Sequence, residues 1–185
     1  MSRVLAVSTD DELMQALGAG DDDSLTELVR RHQRPLVGYL AGIVNDVERA
    51  RDLSQEAFLR VYRHAAGYRT SSRFTTWLYH IARNLARDEL RARKRRPALH
   101  QADERGLDDT PGNQVNVAAS VERREIVLRA IGELPARDRE LILLRDVEGR
   151  SYEEIAEATG LPLGTVKSGL SRARNRFAER FAALG

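Results

Sequence analysis

Residues 151–176 read SYEEIAEATGLPLGTVKSGLSRARNR, and the reading of this stretch decides the fold. Ser151 can cap a helix start, and Glu154 three residues later completes a capping box. Ile155, Ala156 and Thr159 give that short helix an inner face. Gly160 can take a positive φ, and Pro162 prevents the first helix from running on. A second helix is predicted from about Gly164, carrying Lys167, Arg172, Arg174, Arg176 and Arg180 against one acid, Glu179. Two short helices, a tight glycine turn and a cationic second helix form a helix-turn-helix, a geometry that fits the major groove of DNA.

The faces of the second helix sharpen this. Val166, Leu170, Ala173, Phe177 and Phe181 recur at helical spacing and form one apolar stripe that must pack on a core. Roughly opposite lie Gly164, Ser168, Ser171, Arg172 and Asn175, flanked by Lys167 and Arg174 on one side and Thr165 and Arg176 on the other. Small residues let a helix approach base edges closely. Arg172 and Lys167 can donate to guanine O6 and N7, and Ser168 and Ser171 can bond a base or a phosphate.

The formal net charge is only +2, so charge is better read locally. Residues 1–30 carry Asp10, Asp11, Glu12, Asp21, Asp22, Asp23 and Glu27 against Arg3 and Arg30, whereas residues 91–96 read RARKRR. Separated acidic and basic segments suit a protein that meets both a polyanion and a second, different partner. There is no cysteine, which excludes disulfides and cysteine-ligated metal sites. The N-terminal apolar run is too short for a signal peptide, and no later run approaches a membrane span. The expectation is a soluble, cytoplasmic protein without direct membrane insertion. Aromatics make up only 5 % while Leu, Ala, Arg and Glu dominate, which favours an all-α chain.

Along the chain, Thr9 and Glu12 form a capping box for a first helix over about 10–18. The next helix starts at Asp23 or Ser24, and Pro35 inside it should kink or divide it near Gln33 or Arg34. Asn45 or Asp46 caps a third helix with the stripe Val47, Ala50, Leu53, Ala57, Phe58, Val61 and Tyr62. A fourth runs from about Ser72 to Arg95, burying Phe74, Trp77 or Leu78, Ile81, Leu85 and Leu90. Residues 98–120 are rich in Pro, Gly, Asn, Gln and Asp and read as a flexible linker. Periodicity resumes at Val121, breaks at Leu134-Pro135, and continues through Leu141, Ile142, Leu144 and Val147 to Gly149. The expected architecture is two small helical domains, residues 1–97 and 121–185, joined by the linker 98–120.

The segment YRTSSRFTTWLYHIARNLARDELRARKRR (68–96) combines aromatics, hydroxyls and Arg on one amphipathic element. Bases stack on aromatic rings while cations follow phosphates, so this composition suits single-stranded DNA. Phe74 sits at core spacing. Thr76, Tyr79, His80, Arg83, Asn84, Arg87 and Arg91 project elsewhere and are the better contact candidates, with Trp77 between the two roles.

The chain resembles the extracytoplasmic-function type of bacterial RNA polymerase sigma factor, of the sigma-70 family. The matching residues are ARDLSQEAFLRVYR (50–63), FTTWLYHIARNLARDELR (74–91), ELPARDRELILLRDVEG (133–149) and SYEEIAEATGLPLGTVKSGLSRAR (151–174). The resemblance implies a region 2-like first domain and a region 4-like second domain, with no third between them. It implies core RNA polymerase as partner, at the β′ clamp helices and the β flap, together with promoter DNA and an anti-sigma factor. Asp52, Leu53, Gln55 and Glu56 then look like the polymerase-docking edge. Tyr68, Thr76, Trp77, Tyr79, Arg83, Asn84, Arg87 and Arg91 look like the reader of melted −10 DNA. Thr165, Lys167, Ser168, Ser171, Arg172, Arg174 and Arg176 look like the −35 reader, with Arg174, Arg176 and Thr165 nearer phosphates. The chain departs from the family at Arg51, where Glu or a small residue is common, and at Gly169, where a longer, often basic residue stands. Gly169 is read as a lost contact that also costs up to about 1 kcal/mol in helix stability relative to Ala.

The nearest rival is a two-domain helix-turn-helix regulator with an N-terminal sensing or dimerisation domain. The first domain shows no alternating β/α pattern and no glycine-rich phosphate loop. An enzyme is disfavoured as well: His32, His64, His80 and His100 have no metal-ligand spacing, and neither a nucleophile elbow nor GxGxxG occurs. No cofactor, metal or catalytic residue is expected.

Overall fold

The computed structural model describes residues 8–69, 73–95 and 126–184, and every regular element among them is helical. The expected linker 98–120, the expected helix start at Val121, positions 70–72, Arg96 and the N-terminal tip lie outside the described residues.

Helix α1 spans Asp10–Gly18 and is closed by the expected capping box. The Thr9 amide donates to Glu12 Oε2 at 2.7 Å, and the Glu12 amide donates to Thr9 Oγ1 at 3.3 Å. Helix α2 (Asp22–Val44) ends at Asn45, which takes a left-handed backbone conformation. Helix α3 (Val47–His64) begins at Asp46, whose carboxylate accepts from the Arg49 amide at 2.9 Å. A 3-10 turn (Ala65–Gly67) leads towards α4 (Phe74–Arg95). After the undescribed stretch come α5 (126–132), α6 (Ala136–Ile142), a π-helical turn (Leu143–Val147), α7 (Tyr152–Thr159) and α8 (Leu163–Leu184).

Pro35 does not divide α2, which is continuous from Asp22 to Val44. An interior proline loses one hydrogen bond and costs a helix about 3 kcal/mol. Leu28 lies buried on one side of it, and Leu36, Tyr39, Leu40, Ile43 and Val44 on the other. Burying one such side chain returns about 1.5–3 kcal/mol, so the packed face outweighs the break.

Helices α1 to α4 enclose Leu13, Met14, Leu28, Leu36, Leu40, Phe58, Phe74 and Leu78. Of the pair Trp77 and Leu78, Leu78 takes the core place and Trp77 is half-buried. Two residues assigned to apolar stripes face outward instead, Tyr62 at 47 % exposure and Val147 at 60 %. The buried side chains of the C-terminal half, among them Leu141, Leu143, Leu144, Ile155, Val166 and Leu170, continue the same apolar core, so the two halves are docked.

Gly169 reverses its sequence reading. It is buried, and a Cβ added there would lie 2.8 Å from Leu141 Cδ1. The residue marks a close approach of α8 to α6, not a missing contact on the outer face. Leu141 is itself fully buried, so any shift of its methyl must be taken up within the core. Gly169→Ala should therefore destabilise the chain by about 1 kcal/mol in denaturant unfolding, because overpacking at about 1–3 kcal/mol exceeds the helix-propensity gain of about 1 kcal/mol.

Candidate nucleic-acid interface

The helix-turn-helix is built as its residues dictate. The Ser151 amide donates to Glu154 Oε2 at 2.8 Å, and the Glu154 amide donates to Ser151 Oγ at 3.1 Å. This reciprocal cap starts α7. Gly160 ends α7 with φ +67°, a left-handed conformation that a side chain would strain. Ile155, Ala158 and Thr159 form the buried face of α7, so Ala158 takes the place expected of Ala156, which is half-buried.

Helix α8 is buried along Val166, Gly169, Leu170 and Ala173. Phe177 and Phe181 stack at 5.8 Å between ring centroids, both partly exposed. On the opposite face Lys167, Ser168, Ser171 and Arg172 are exposed, and Thr165 is half-exposed. Lys167 lies 6.0 Å from the centroid of the Tyr152 ring. Arg172 makes no ion pair among the described residues. Arg174 and Arg176 do: Arg174 binds Asp146 through two donors at 2.5 and 3.1 Å, and Arg176 binds Asp138. The two arginines expected nearest phosphate are thus held by the chain's own carboxylates.

The second candidate surface, on α3, is half as expected. Asp52 and Gln55 are exposed and Glu56 is half-exposed, held by Arg60 at 3.0 Å. Leu53 is buried at 5 % exposure and belongs to the core, because α3 turns that side toward its neighbours. In its place Leu59 and Tyr62 stand out at 48 % and 47 %. Sequence reading missed this edge. Gln55, Leu59 and Tyr62 lie at helical spacing of four and three, and that second, weaker stripe is the signal that marks it.

On α4 the expected contact residues separate. Asn84 is half-exposed, and Arg87 and Arg91 are exposed, Arg91 lying 3.3 Å from Asp88. Tyr68 and Trp77 form a tilted ring pair at 5.3 Å, and the Tyr68 hydroxyl donates to Asp11 at 2.6 Å. Burial, then the hydrogen bond to Asp11, pushes that phenol well above its ordinary value, so it stays a donor. Thr76 and Tyr79, expected to project outward, are buried. The Thr76 hydroxyl has no partner, while the Tyr79 ring meets Tyr39 edge-on at 5.0 Å. The Tyr79 hydroxyl donates to Glu148, and the Arg150 guanidinium sits 4.6 Å over its ring. Arg83 is paired with Glu140 at 2.6 Å. Sequence reading missed these acidic partners because they lie 57 and 69 residues away along the chain.

Among the described residues no group of His, Asp or Glu is arranged to hold a metal ion, and no helix is long and apolar enough to cross a membrane.

Models of sigma-70 region 2 and sigma-70 region 4 match residues 28–96 and 124–177. The RNA polymerase sigma-H factor of Pseudomonas aeruginosa is 35 % identical over 179 residues, covering 92 % of this chain and 93 % of that protein. The ECF RNA polymerase sigma-E factor of Escherichia coli K12 is 37 % identical over 186 residues, covering 95 % and 96 %. Among solved structures, the sigma factor RpoE in complex with the anti-sigma factor NepR from Bartonella quintana aligns with a TM-score of 0.66 at 26 % identity, over 85 % of this chain and 96 % of that one. CnrH in complex with the cytosolic domain of CnrY aligns with a TM-score of 0.71 over 95 % and 99 %, and at 23 % identity it speaks for the fold alone.

The reciprocal cap satisfies the Ser151 and Glu154 amides at the start of α7. Ser151→Ala should cost about 1 kcal/mol in thermal unfolding, whereas Glu154→Gln, which retains the reciprocal bond, should cost less than half of that.

Proposed function

The chain belongs to the extracytoplasmic-function group of the sigma-70 family, and from that premise we propose how its two domains divide the work. As a sigma factor it binds core RNA polymerase and directs it to promoters. Residues 1–97 hold the polymerase and trap melted −10 bases, residues 121–185 read the −35 duplex, and 98–120 joins them. The chain itself performs no catalysis and works in the cytoplasm, where its polymerase is. An anti-sigma factor is a further partner, and the complex formed by the solved RpoE supports that reading.

One observation carries this division. Helix α8 buries one stripe and leaves Lys167, Ser168, Ser171 and Arg172 open behind a capped α7. In this reading Arg172 and Lys167 donate to base edges, while Arg174, Arg176 and Thr165 serve the backbone. On α3 the docking edge for the β′ clamp helices is Asp52, Gln55 and Glu56 with Leu59 and Tyr62, and Leu53 supports it from beneath. The β flap is assigned to the second domain. On α4, Tyr68, Trp77, Asn84, Arg87 and Arg91 meet the opened strand, joined by Thr76, Tyr79 and Arg83 once these are uncovered. Extruding a base costs a few kcal/mol, which stacking and hydrogen bonds must return.

Run-off transcription with core polymerase on a genomic library, with and without the chain, tests the function and returns its promoters. New start sites sharing a −35 and a −10 element are expected. A transcript set unchanged by the chain would refute the reading. On such a promoter Arg172→Ala should relax one −35 position by about 1–3 kcal/mol, and Arg174→Ala should weaken all sequences alike. Equal losses on every sequence for Arg172→Ala would show a backbone contact instead. Leu59→Ala with Tyr62→Ala should weaken core-polymerase binding at least tenfold at unchanged fold stability. Leu53→Ala should instead lower fold stability by about 2–5 kcal/mol.

A further inference from the structure

One carboxylate oxygen of α1 touches both Tyr68 and the start of α4. Asp11 Oδ1 accepts from the Tyr68 hydroxyl at 2.6 Å and from the Phe74 amide at 3.2 Å. Tyr68 follows the 3-10 turn, and Phe74 is the first residue of α4. The first turn of α4 holds no acid of its own. A helix start carries unpaired amides and partial positive charge, so a carboxylate there is stabilising. Asp11 supplies it from 63 residues away along the chain, and the same atom fixes the Tyr68 phenol.

Helix α1 is itself anchored at both ends. At its start, Asp10 Oδ2 lies 2.7 Å from His32 Nε2, and Arg31 donates to Asp10 Oδ1 at 3.2 Å and to the Ser8 carbonyl at 2.7 Å. The His32 ring in turn meets Phe74, with centroids 5.4 Å apart. At its end, Gly18 comes close against the 3-10 turn: an added Cβ would lie 2.8 Å from the Ala65 carbonyl oxygen. Asp11 therefore stands on a fixed base. The rings it serves are graded in burial. Phe74 is buried and meets Trp77 edge-on at 6.5 Å, while Trp77 and Tyr68 are only half-buried.

We propose that Asp11 is a positioning residue for −10 recognition: from α1 it fixes the Tyr68 ring against Trp77 and caps the first amide of α4, so that the ring pair stands ready to stack an unpaired base. The inference rests on the reading of Tyr68 and Trp77 as rings that meet the opened strand. Asp11 touches no DNA in this assignment. Its charge would repel phosphate, and its Oδ1 is engaged by the protein's own donors. A ring left to rotate would have to be ordered by the base it stacks on. A ring already held loses less freedom on binding, and affinity rises accordingly.

The test uses holoenzyme assembled from core polymerase and the full chain. Fluorescence anisotropy of a single-stranded oligonucleotide, carrying a −10 element returned by the run-off experiment, reports strand binding. Core-polymerase affinity is measured beside it. Asp11→Ala should weaken the oligonucleotide about tenfold, and Tyr68→Phe, which keeps the ring and the Phe74 bond, about threefold, the scale set by ordering one side chain. The two changes together should match Asp11→Ala alone, because the hydroxyl bond can be lost only once. Asp11→Asn keeps an acceptor oxygen and should stay within about twofold of the unaltered chain. Core-polymerase affinity should hold throughout this series. An Asp11→Ala chain that binds the strand normally, effects that multiply in the double variant, or an Asn variant as weak as Ala would each overturn the inference. So would equal losses of strand and core-polymerase binding, which mark general unfolding. If Asp11→Ala does not fold, Tyr68→Phe decides, and normal strand binding by it overturns the inference. Tyr68→Ala/Trp77→Ala separates this inference from the reading beneath it. Strand binding that survives loss of both rings would overturn both, whereas rings that matter beside an Asp11 that does not would overturn the inference alone.

Discussion

Glu140 is a carboxylate held almost wholly out of water, and the guanidinium of Arg83 is what makes that position tolerable. Taking either charge out of water alone costs several kcal/mol, and only a close, well-aligned partner offsets it. Such a pair adds little net stability over apolar packing. What it contributes is register: α4 and α6 can meet in one alignment that strands neither charge. From that alignment follow the seat of Leu143 against Gly42, the Arg139 bonds to the end of α2, and the Tyr79 ring beneath Arg150. Burial raises the Glu148 carboxyl above its ordinary value, against the lowering by the Tyr79 hydroxyl. The contact is therefore a desolvated one at both Glu140 and Glu148.

The C-terminal domain consequently carries two electrostatic faces. The open side of α8 is cationic and small. The side formed by α6, the turn after it and the start of α7 is acidic where it meets α4. A net charge near zero conceals this, because the two faces nearly cancel in the sum. The separation by segment is the informative quantity, and it agrees with a chain that handles a polyanion while also binding protein.

Local chemistry was legible in the sequence wherever a few neighbouring residues decide the outcome. The Thr9–Glu12 and Ser151–Glu154 boxes, the left-handed Gly160 and the stripe of α8 all depend on contacts within one or two turns. Pro35 does not divide α2, because its local cost is outweighed by packing on both sides of it. Gly169 was misread because a close helix approach and a bare outer face look alike in a single sequence. Leu59 was overlooked and Tyr62 was assigned to the buried stripe because a helix with apolar residues on two sides gives no rule for which side is covered. The glutamates facing α4 could not be matched at all, since ion pairs across 57 to 81 residues leave no periodic trace.

Arg174 and Arg176 each hold a carboxylate of their own domain, Asp146 and Asp138. A guanidinium already neutralised in this way has a reduced ion atmosphere to give up when it meets a phosphate. Counterion release drives much of protein–DNA affinity and sets its dependence on ionic strength. On the proposed reading of α8 as the −35 helix, it gains less from its four arginines than their number suggests, and its binding to duplex DNA would be correspondingly less sensitive to salt. The aspartates displaced in the exchange would return to water, so part of each phosphate contact goes to replacing a bond the domain had before.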